Sequence, residues 1–391
     1  MEFETWWLLA IPVFFALGWI AARVDIRQLV SESRTLPRGY FKGLNFLLND
    51  QPDKAIDAFI EIVTLDPETI ELHFALGNLF RRRGEIERAI RVHQNLLARP
   101  DLPSAYKAQS QFELGQDYLK AGLLDRAEET FNQLVDTPYG AQARRALLEI
   151  YQREKEWVRA IEAARALQES GAGGRQKEIA QFYCELAEDE LVRTRSDAAL
   201  EMLEKALAED RHNVRATILT GDVYMARGEV EAALQAWRRV EHQSVPHVAL
   251  VAQRLMDGYR AVGRPQEGVN LLKNYLAEAP SIDLLEVVFK AVLEQDGVEA
   301  ANQIVSDELR RAPTLLGLDK LMEARLMNAP PEVLPELSFV KNLVHGYTRK
   351  LARYQCSQCG FKARQFYWHC PGCNQWETYP PRRSEELNVM G

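Results

Sequence analysis

Cysteine is scarce in this chain: there are five in 391 residues, too few to staple a fold of this length through disulfides. Basic residues are not in excess either. Forty-eight Lys and Arg face 56 Asp and Glu, a net charge of −8, so no general positive field draws nucleic acid to the chain. Glycine and proline, 22 and 17 residues, are too few for collagen-like or low-complexity architectures. Enzyme signatures are missing as well: no His-Glu-x-x-His, no Gly-x-Ser-x-Gly and no Gly-x-x-x-x-Gly-Lys-Ser/Thr occurs. What is present, 47% hydrophobic and 27% charged residues, describes a folded chain long enough for two or more domains.

The first long apolar run stretches from Thr5 to Ala22 without a charge. Its 18 residues would cover about 27 Å as a helix, enough for the hydrocarbon of a thin bilayer. Trp6, Trp7 and Trp19 fall near its ends, where indole rings favour the membrane interface. A cleaved signal peptide needs a basic leader, whereas Glu2 and Glu4 precede this run and Arg23, Arg27, Arg34 and Arg38 follow it. The expectation is an uncleaved anchor over 1–22 and a connector over 23–36, with everything after Arg23 in the cytoplasm.

From residue 37 onward the sequence repeats itself. Gly43, Phe46 and Ala55 return 34 residues later as Gly77, Phe80 and Ala89. A small residue, an aromatic three positions on, an alanine nine beyond that and a bulky residue four further recur as Gly115, Tyr118, Ala127, Phe131 and as Gly221, Tyr224, Ala233, Trp237. Weaker copies centre on Leu148, Tyr151 and Ala160, on Ala187 and Ala199, on Met256 and Tyr259, and on Phe289 and Ala301. Small residues let two helices approach and large ones fill the gap between them. Turn signals at Gly84, Gly122, Gly228 and Gly263 divide the helix pairs, while Pro67, Pro100, Pro280 and Pro313 close them. The pattern resembles the tetratricopeptide repeat family over 37–313, about eight units, an all-α solenoid. The other reading is an irregular helical bundle. Such repeats in the resembled family hold peptides or partner helices, which implies Asn78 and Arg81 on one inner helix as partner-binding candidates; both could equally be solvated polar residues. Gly171-Ala172-Gly173-Gly174 reads as an inter-repeat loop, since no strand precedes it, and Cys184 reads as a small buried hydrophobe. No catalytic residue is expected.

Past Pro330-Pro331 the rhythm stops, and an amphipathic helix with Leu334, Leu337, Val340, Leu343, Val344 and Tyr347 on one side is expected to cap the array over 314–350. Four of the five cysteines follow within 351–382: Cys356 and Cys359, then Cys370 and Cys373. Two residues between paired cysteines let both thiolates meet one ion across a tight turn, and two such pairs complete a tetrahedron with no open position. The cysteines therefore predict a closed tetrathiolate site, structural or electron-carrying, for one iron or zinc ion; two redox disulfides are the alternative. Tyr354, Phe361, Phe366, Tyr367, Trp368, Trp376 and Tyr379 crowd these knuckles as the expected core of a small domain resembling rubredoxin, and His369 reads as a residue outside the ligand set or facing solvent. Residues 383–391 read as a tail.

The order of parts is uncommon: anchor, helical repeats, then a terminal module carrying Trp368-His369-Cys370-Pro371-Gly372-Cys373. End to end, with Gly43 to Leu48, Leu76 to Arg81, Asp125 to Glu128, Phe131 to Leu134, Phe182 to Ala187 and Tyr367 to Pro371 as the carrying segments, the chain resembles the lipopolysaccharide assembly protein B family. That resemblance implies a single-pass inner-membrane regulator facing the cytoplasm. It would present the LpxC deacetylase to the FtsH protease, alongside other lipopolysaccharide assembly proteins and with homo-oligomers possible, and it would bind no nucleic acid. Two other functions remain open: a non-proteolytic scaffold for lipopolysaccharide assembly enzymes, and a rubredoxin-like electron carrier.

Overall fold

The computed structural model describes residues 15, 19, 42, 43, 45, 46, 48, 49, 51–65, 70–171 and 173–389. The expected anchor and connector lie outside these apart from Phe15 and Trp19, and among the described residues no helix is long and apolar enough to cross a membrane. The chain divides into two compact units, Met1–Glu154 and Lys155–Gly391.

In the first unit α1 (Pro52–Leu65), α2 (Ile70–Arg83), α3 (Ile86–Leu97), α4 (Ser104–Ala121), α5 (Leu124–Asn132) and α6 (Gly140–Glu154) follow one another, each packing on the next. The spacing seen in the sequence has a direct cause. Gly43 faces the Phe59 ring, Gly77 the His93 ring and Gly115 the Phe131 ring, and a Cβ at any of the three would collide with the ring sixteen residues on. Glycine there sets how close two helices come. Gly84 and Gly122, at φ 87° and 76°, turn the chain between α2 and α3 and between α4 and α5, in a region that suits no side chain as well.

The second unit continues with α7 (Trp157–Glu169), α8 (Gln176–Val192), α9 (Ser196–Glu209), α10 (Val214–Ala226), α11 (Val230–Arg238) and a single turn, α12 (Val240–Gln243). Then come α13 (Val248–Ala261), α14 (Pro265–Glu278), α15 (Ile282–Asp296), α16 (Val298–Arg311), α17 (Leu315–Leu326) and α18 (Leu334–Leu351). Gly221 again lies against the ring sixteen residues later, Trp237, whose indole N–H donates to the Ile218 carbonyl at 3.2 Å. The continuous core of this unit joins Trp237, Val251, Leu255, Leu272, Val288, Phe289 and Val305, all buried. Met256 and Tyr259 lie on α13, and Phe289 and Ala301 lie on the consecutive helices α15 and α16. Side-chain caps start two helices: Asn213 accepts from the Ala216 amide at 2.8 Å and Thr314 from the Gly317 amide at 2.9 Å.

One expectation about this unit is corrected. Helix α18 does pack on α17, with Thr348 buried and Leu337 and Val344 half-buried, but Phe339, Val340, Leu343 and Tyr347 are exposed. An amphipathic pattern tells that a helix has an apolar side, not what covers it.

After α18 the chain forms a two-stranded antiparallel ribbon, β1 (Tyr354–Gln355) against β2 (Lys362–Ala363), and ends in α19 (Ser384–Val389). These short elements carry the cysteines.

Candidate metal centre

Both knuckles fold by the same hydrogen bonds. The Cys356 amide donates to the Phe361 carbonyl at 3.0 Å and the Gly360 amide to the Cys356 carbonyl at 3.0 Å; the Cys370 amide donates to Gln375 at 2.9 Å and the Asn374 amide to Cys370 at 2.9 Å. Each loop needs a positive φ four residues after its first cysteine, supplied by Gly360 at 74° and Asn374 at 54°. The second of these was not apparent from the sequence.

The four Sγ atoms lie within 4.8 Å of one another. Cys356 and Cys373 approach to 3.8 Å, Cys359 and Cys370 to 3.7 Å. Metal–sulfur bonds of about 2.3 Å arranged tetrahedrally place neighbouring sulfurs about 3.8 Å apart, whereas a disulfide needs about 2.05 Å. The donor set thus fits a tetrathiolate ion and not a disulfide pair. Burial works against ionisation of Cys356, but the Thr378 hydroxyl, 3.2 Å from its sulfur, and the Cys359 and Gln358 amides outweigh it and draw the thiol down to about 6. Burial pushes Cys373 up to about 12. Sulfurs this close cannot all be thiolates without a cation between them, and a bound divalent ion would supply that compensation and hold the two loops together.

The module is seated on its own unit's repeats by two tryptophans. Trp376 sets its ring edge-on against Trp157 and Phe182, at centroid distances of 6.2 and 5.9 Å, and lies 5.8 Å from the guanidinium carbon of buried Arg215. Trp368 stacks on His247 at 5.8 Å with the rings 7° from parallel. Gln181 donates to Glu377 at 2.7 Å, and Arg215 donates to Gln181 at 3.2 Å while pairing with Glu185 at 2.7 Å. Burial opposes the Arg215 charge, but Glu185 and Glu188 hold its pKa above the ordinary value. The sequence expectation for the seven aromatics is therefore corrected. Tyr354 and Tyr379 are buried in the module with Phe366 and Tyr367 beside them, Trp368 and Trp376 form its contact with the repeats, and Phe361 is exposed. His369 is not solvent-facing either: it stacks on Trp376 at 4.3 Å, and burial lowers its pKa.

Residues 383–389 are a latch where the sequence suggests a tail. Arg383 grips Asp283 with both ends of its guanidinium, at 2.6 and 2.9 Å, and stacks over the Tyr354 ring at 4.0 Å, while the Tyr354 hydroxyl donates to Asp283 at 2.7 Å. Glu386 accepts from the Ile282 amide at 2.7 Å at the start of α15, and Glu385 from the Leu315 and Leu316 amides at 2.5 and 3.0 Å at the start of α17. Carboxylates at helix N-termini satisfy orphan amides and meet the positive end of the helix dipole. Module and latch together touch α8 at Gln181 and Phe182 and the N-terminal ends of α10, α13, α15 and α17.

Comparison with known proteins agrees with this architecture. A model of the rubredoxin metal binding domain matches residues 354–381, and tetratricopeptide repeat models match 72–104, 112–175 and 194–253. A crystal structure of a tetratricopeptide repeat protein from Parabacteroides merdae is similar at 16% identity, covering 78% of this chain and 100% of that one with a TM-score of 0.25, too loose a likeness to place any element. Lipopolysaccharide assembly protein B of Escherichia coli K12 is 38% identical over 378 residues, 96% of this chain and 97% of that protein. Its counterpart in Haemophilus influenzae is 31% identical over 401 residues, 97% of this chain and 98% of that protein. The chain belongs to the lipopolysaccharide assembly protein B family.

In this member of the lipopolysaccharide assembly protein B family the repeats form a non-enzymatic adaptor scaffold. The other residues singled out by sequence have structural surroundings. Cys184 is fully buried, and burial pushes its thiol up to about 12, so it packs as a hydrophobe. Arg81 ties α2 to α4 in the first unit: it pairs with Glu113 at 2.5 Å and with buried Asp117 at 2.9 Å, and it donates to Asn78. Asp117 in turn meets His93 of α3 at 2.5 Å, with both side chains fully buried. Asn78 and Arg81 thus take part in a network that joins three helices, and both are half-buried, so each keeps some surface that a ligand can reach. Arg215, Asp283, Arg383, Glu385 and Glu386 were not singled out by sequence reasoning. Glu185 lies 30 residues from Arg215 and Ile282 lies 104 from Glu386, and no local spacing announces such pairs.

Proposed function

We propose that this chain is a membrane-attached adaptor of lipopolysaccharide assembly that holds an LpxC-type deacetylase against an FtsH-type membrane protease, so limiting the deacetylase and the flux it controls. The observation that carries the reading is the end-to-end similarity to two proteins named for lipopolysaccharide assembly, across both the repeats and the metal module. The closed sulfur site supports it, since four thiolates leave no position for a substrate. A scaffold that binds protease and substrate together raises the concentration of each at the other, and degradation accelerates with no chemistry performed by the scaffold. In this reading residues 5–22 anchor the chain in the inner membrane with the repeats in the cytoplasm. The ion in the Cys356, Cys359, Cys370 and Cys373 site, iron or zinc, holds the module in place, and the accessible part of Arg81 with Asn78 contributes to a partner contact.

The test is the half-life of the deacetylase after its synthesis is shut off, in cells with and without this protein. A longer half-life on depletion, with a rise in lipopolysaccharide, is expected. An unchanged half-life with disturbed lipopolysaccharide assembly would replace the adaptor by a passive scaffold for assembly enzymes.

A further inference from the structure

Helix α18 has two faces. One packs on α17, where Thr348 is buried and its hydroxyl donates to Asp319 at 3.1 Å, with His345 2.8 Å from the same carboxylate. The other carries Phe339, Val340, Leu343 and Tyr347, which are 64%, 41%, 52% and 76% exposed. At about 100° per residue these four fall within an arc of roughly 100°, and Glu336 and Lys350 lie inside the same arc, one turn or so beyond either end of the apolar patch. Both charged residues are exposed, and neither has an ion-pair partner among the described residues.

The order of residues along this stripe is symmetric about Leu343. Four residues before it stands Phe339 and four after it Tyr347; seven before stands Glu336 and seven after Lys350. Reversing the helix end for end about Leu343 therefore lays Leu343 on Leu343, Phe339 on Tyr347 and Glu336 on Lys350. Val340 falls on Gly346, where an added Cβ would meet nothing within 4 Å, so room exists for the branched side chain. A parallel pairing would set Glu on Glu and Lys on Lys. A lipid surface would have to accept the Glu336 carboxylate within its apolar face. Only a second copy of this helix, running antiparallel, matches apolar to apolar and acid to base at every layer.

We propose that α18 is the interface of a two-fold symmetric dimer of this chain, with two copies packed antiparallel around Leu343. One helix pair buries less than a standard protein interface, so the dimer is reversible and its formation depends on concentration.

The test is sedimentation equilibrium of the full-length chain in detergent micelles over roughly 1–100 µM, a range suited to a small interface. The expected mass rises from one chain to two across that range. Leu343→Asp, at an exposed position, should shift the midpoint upward by about tenfold or more with helical content and bound metal unchanged. Glu336→Lys alone and Lys350→Glu alone should each weaken association by about tenfold through like-charge contact. The double variant Glu336→Lys with Lys350→Glu should return to near the original midpoint, because the swap restores both pairs. A mass of one chain at about 100 µM would overturn the proposal. So would a dimer indifferent to Leu343→Asp, or a double charge swap no better than the single changes.

Discussion

The two units stabilise the same kind of helix pair in different ways. In the first, repeats are tied to their neighbours: the contacts among Arg81, His93, Glu113 and Asp117 span 24 to 36 residues, and the network closes on itself inside the scaffold. In the second, the starts of the repeat-opening helices are held from far along the chain. Gln181 meets Glu377 across 196 residues, Asp283 meets Arg383 across 100 and Leu315 meets Glu385 across 70. Repeat arrays usually depend on nearest-neighbour terms alone. Here only the first unit conforms, and the second is tied to the state of a four-sulfur cluster.

The largest expected effect separates the two units. Cys370→Ser should remove the ion, whose binding to such sites is worth on the order of 10 kcal/mol. Metal analysis should show the loss, and amide exchange should quicken in the first turns of α10, α13, α15 and α17 while α2 to α5 stay as protected as before. Equal loosening of both units would break the comparison. The next effect is its mirror image. Arg81→Ala leaves the buried Asp117 carboxylate with His93 alone and should cost roughly 3 kcal/mol of stability in the first unit, visible in its denaturation midpoint. Metal content should not change. Adding Asp117→Asn should recover part of the loss, as expected for an uncompensated buried charge.

The smallest effect concerns acid. Burial depresses the His247 pKa from its ordinary 6.5 to about 4, with Trp368 stacked on the ring and the Ser244 hydroxyl 2.8 Å from Nδ1. Between those two values the unfolded chain takes a proton that the folded chain refuses. The stability from the neutral ring is therefore present above about 6.5 and is lost as pH falls toward 4. Thermal melting from pH 7 to 4.5 should fall more steeply in the original protein than in His247→Phe, which keeps a ring against Trp368. Identical slopes would show that the seat is insensitive to this proton.

These contrasts also mark what the sequence could reveal. The sulfur cluster was legible because its ligands lie close together in the chain, and the clearest helix pairs because glycine and ring recur sixteen residues apart, as at Gly115 and Phe131. The seat of the module was not. Trp376 and Trp368 look like any other aromatics near a knuckle, and their partners Trp157 and His247 lie more than a hundred residues upstream with no period linking them. Glu385 and Glu386 look like solvated charges until the helix starts they cap are in view. Along α18, the 3.6-residue period revealed the apolar residues but could not tell which stripe faces α17 and which faces outward.

The latch also has a consequence in time. Trp157 leaves the ribosome some 230 residues before Glu386, which at ~5–20 residues per second is a wait of roughly 10 to 45 seconds. Throughout it, the hydrophobic seat on Trp157, Phe182 and His247 is uncovered and the helix starts at Ile282 and Leu315 lack their caps. The second unit is thus complete only when its last segment has been made and an ion has been captured. A chain truncated before Arg383, or made where metal is short, would display an open aromatic surface, giving the cell's quality-control machinery a means to tell finished molecules from unfinished ones.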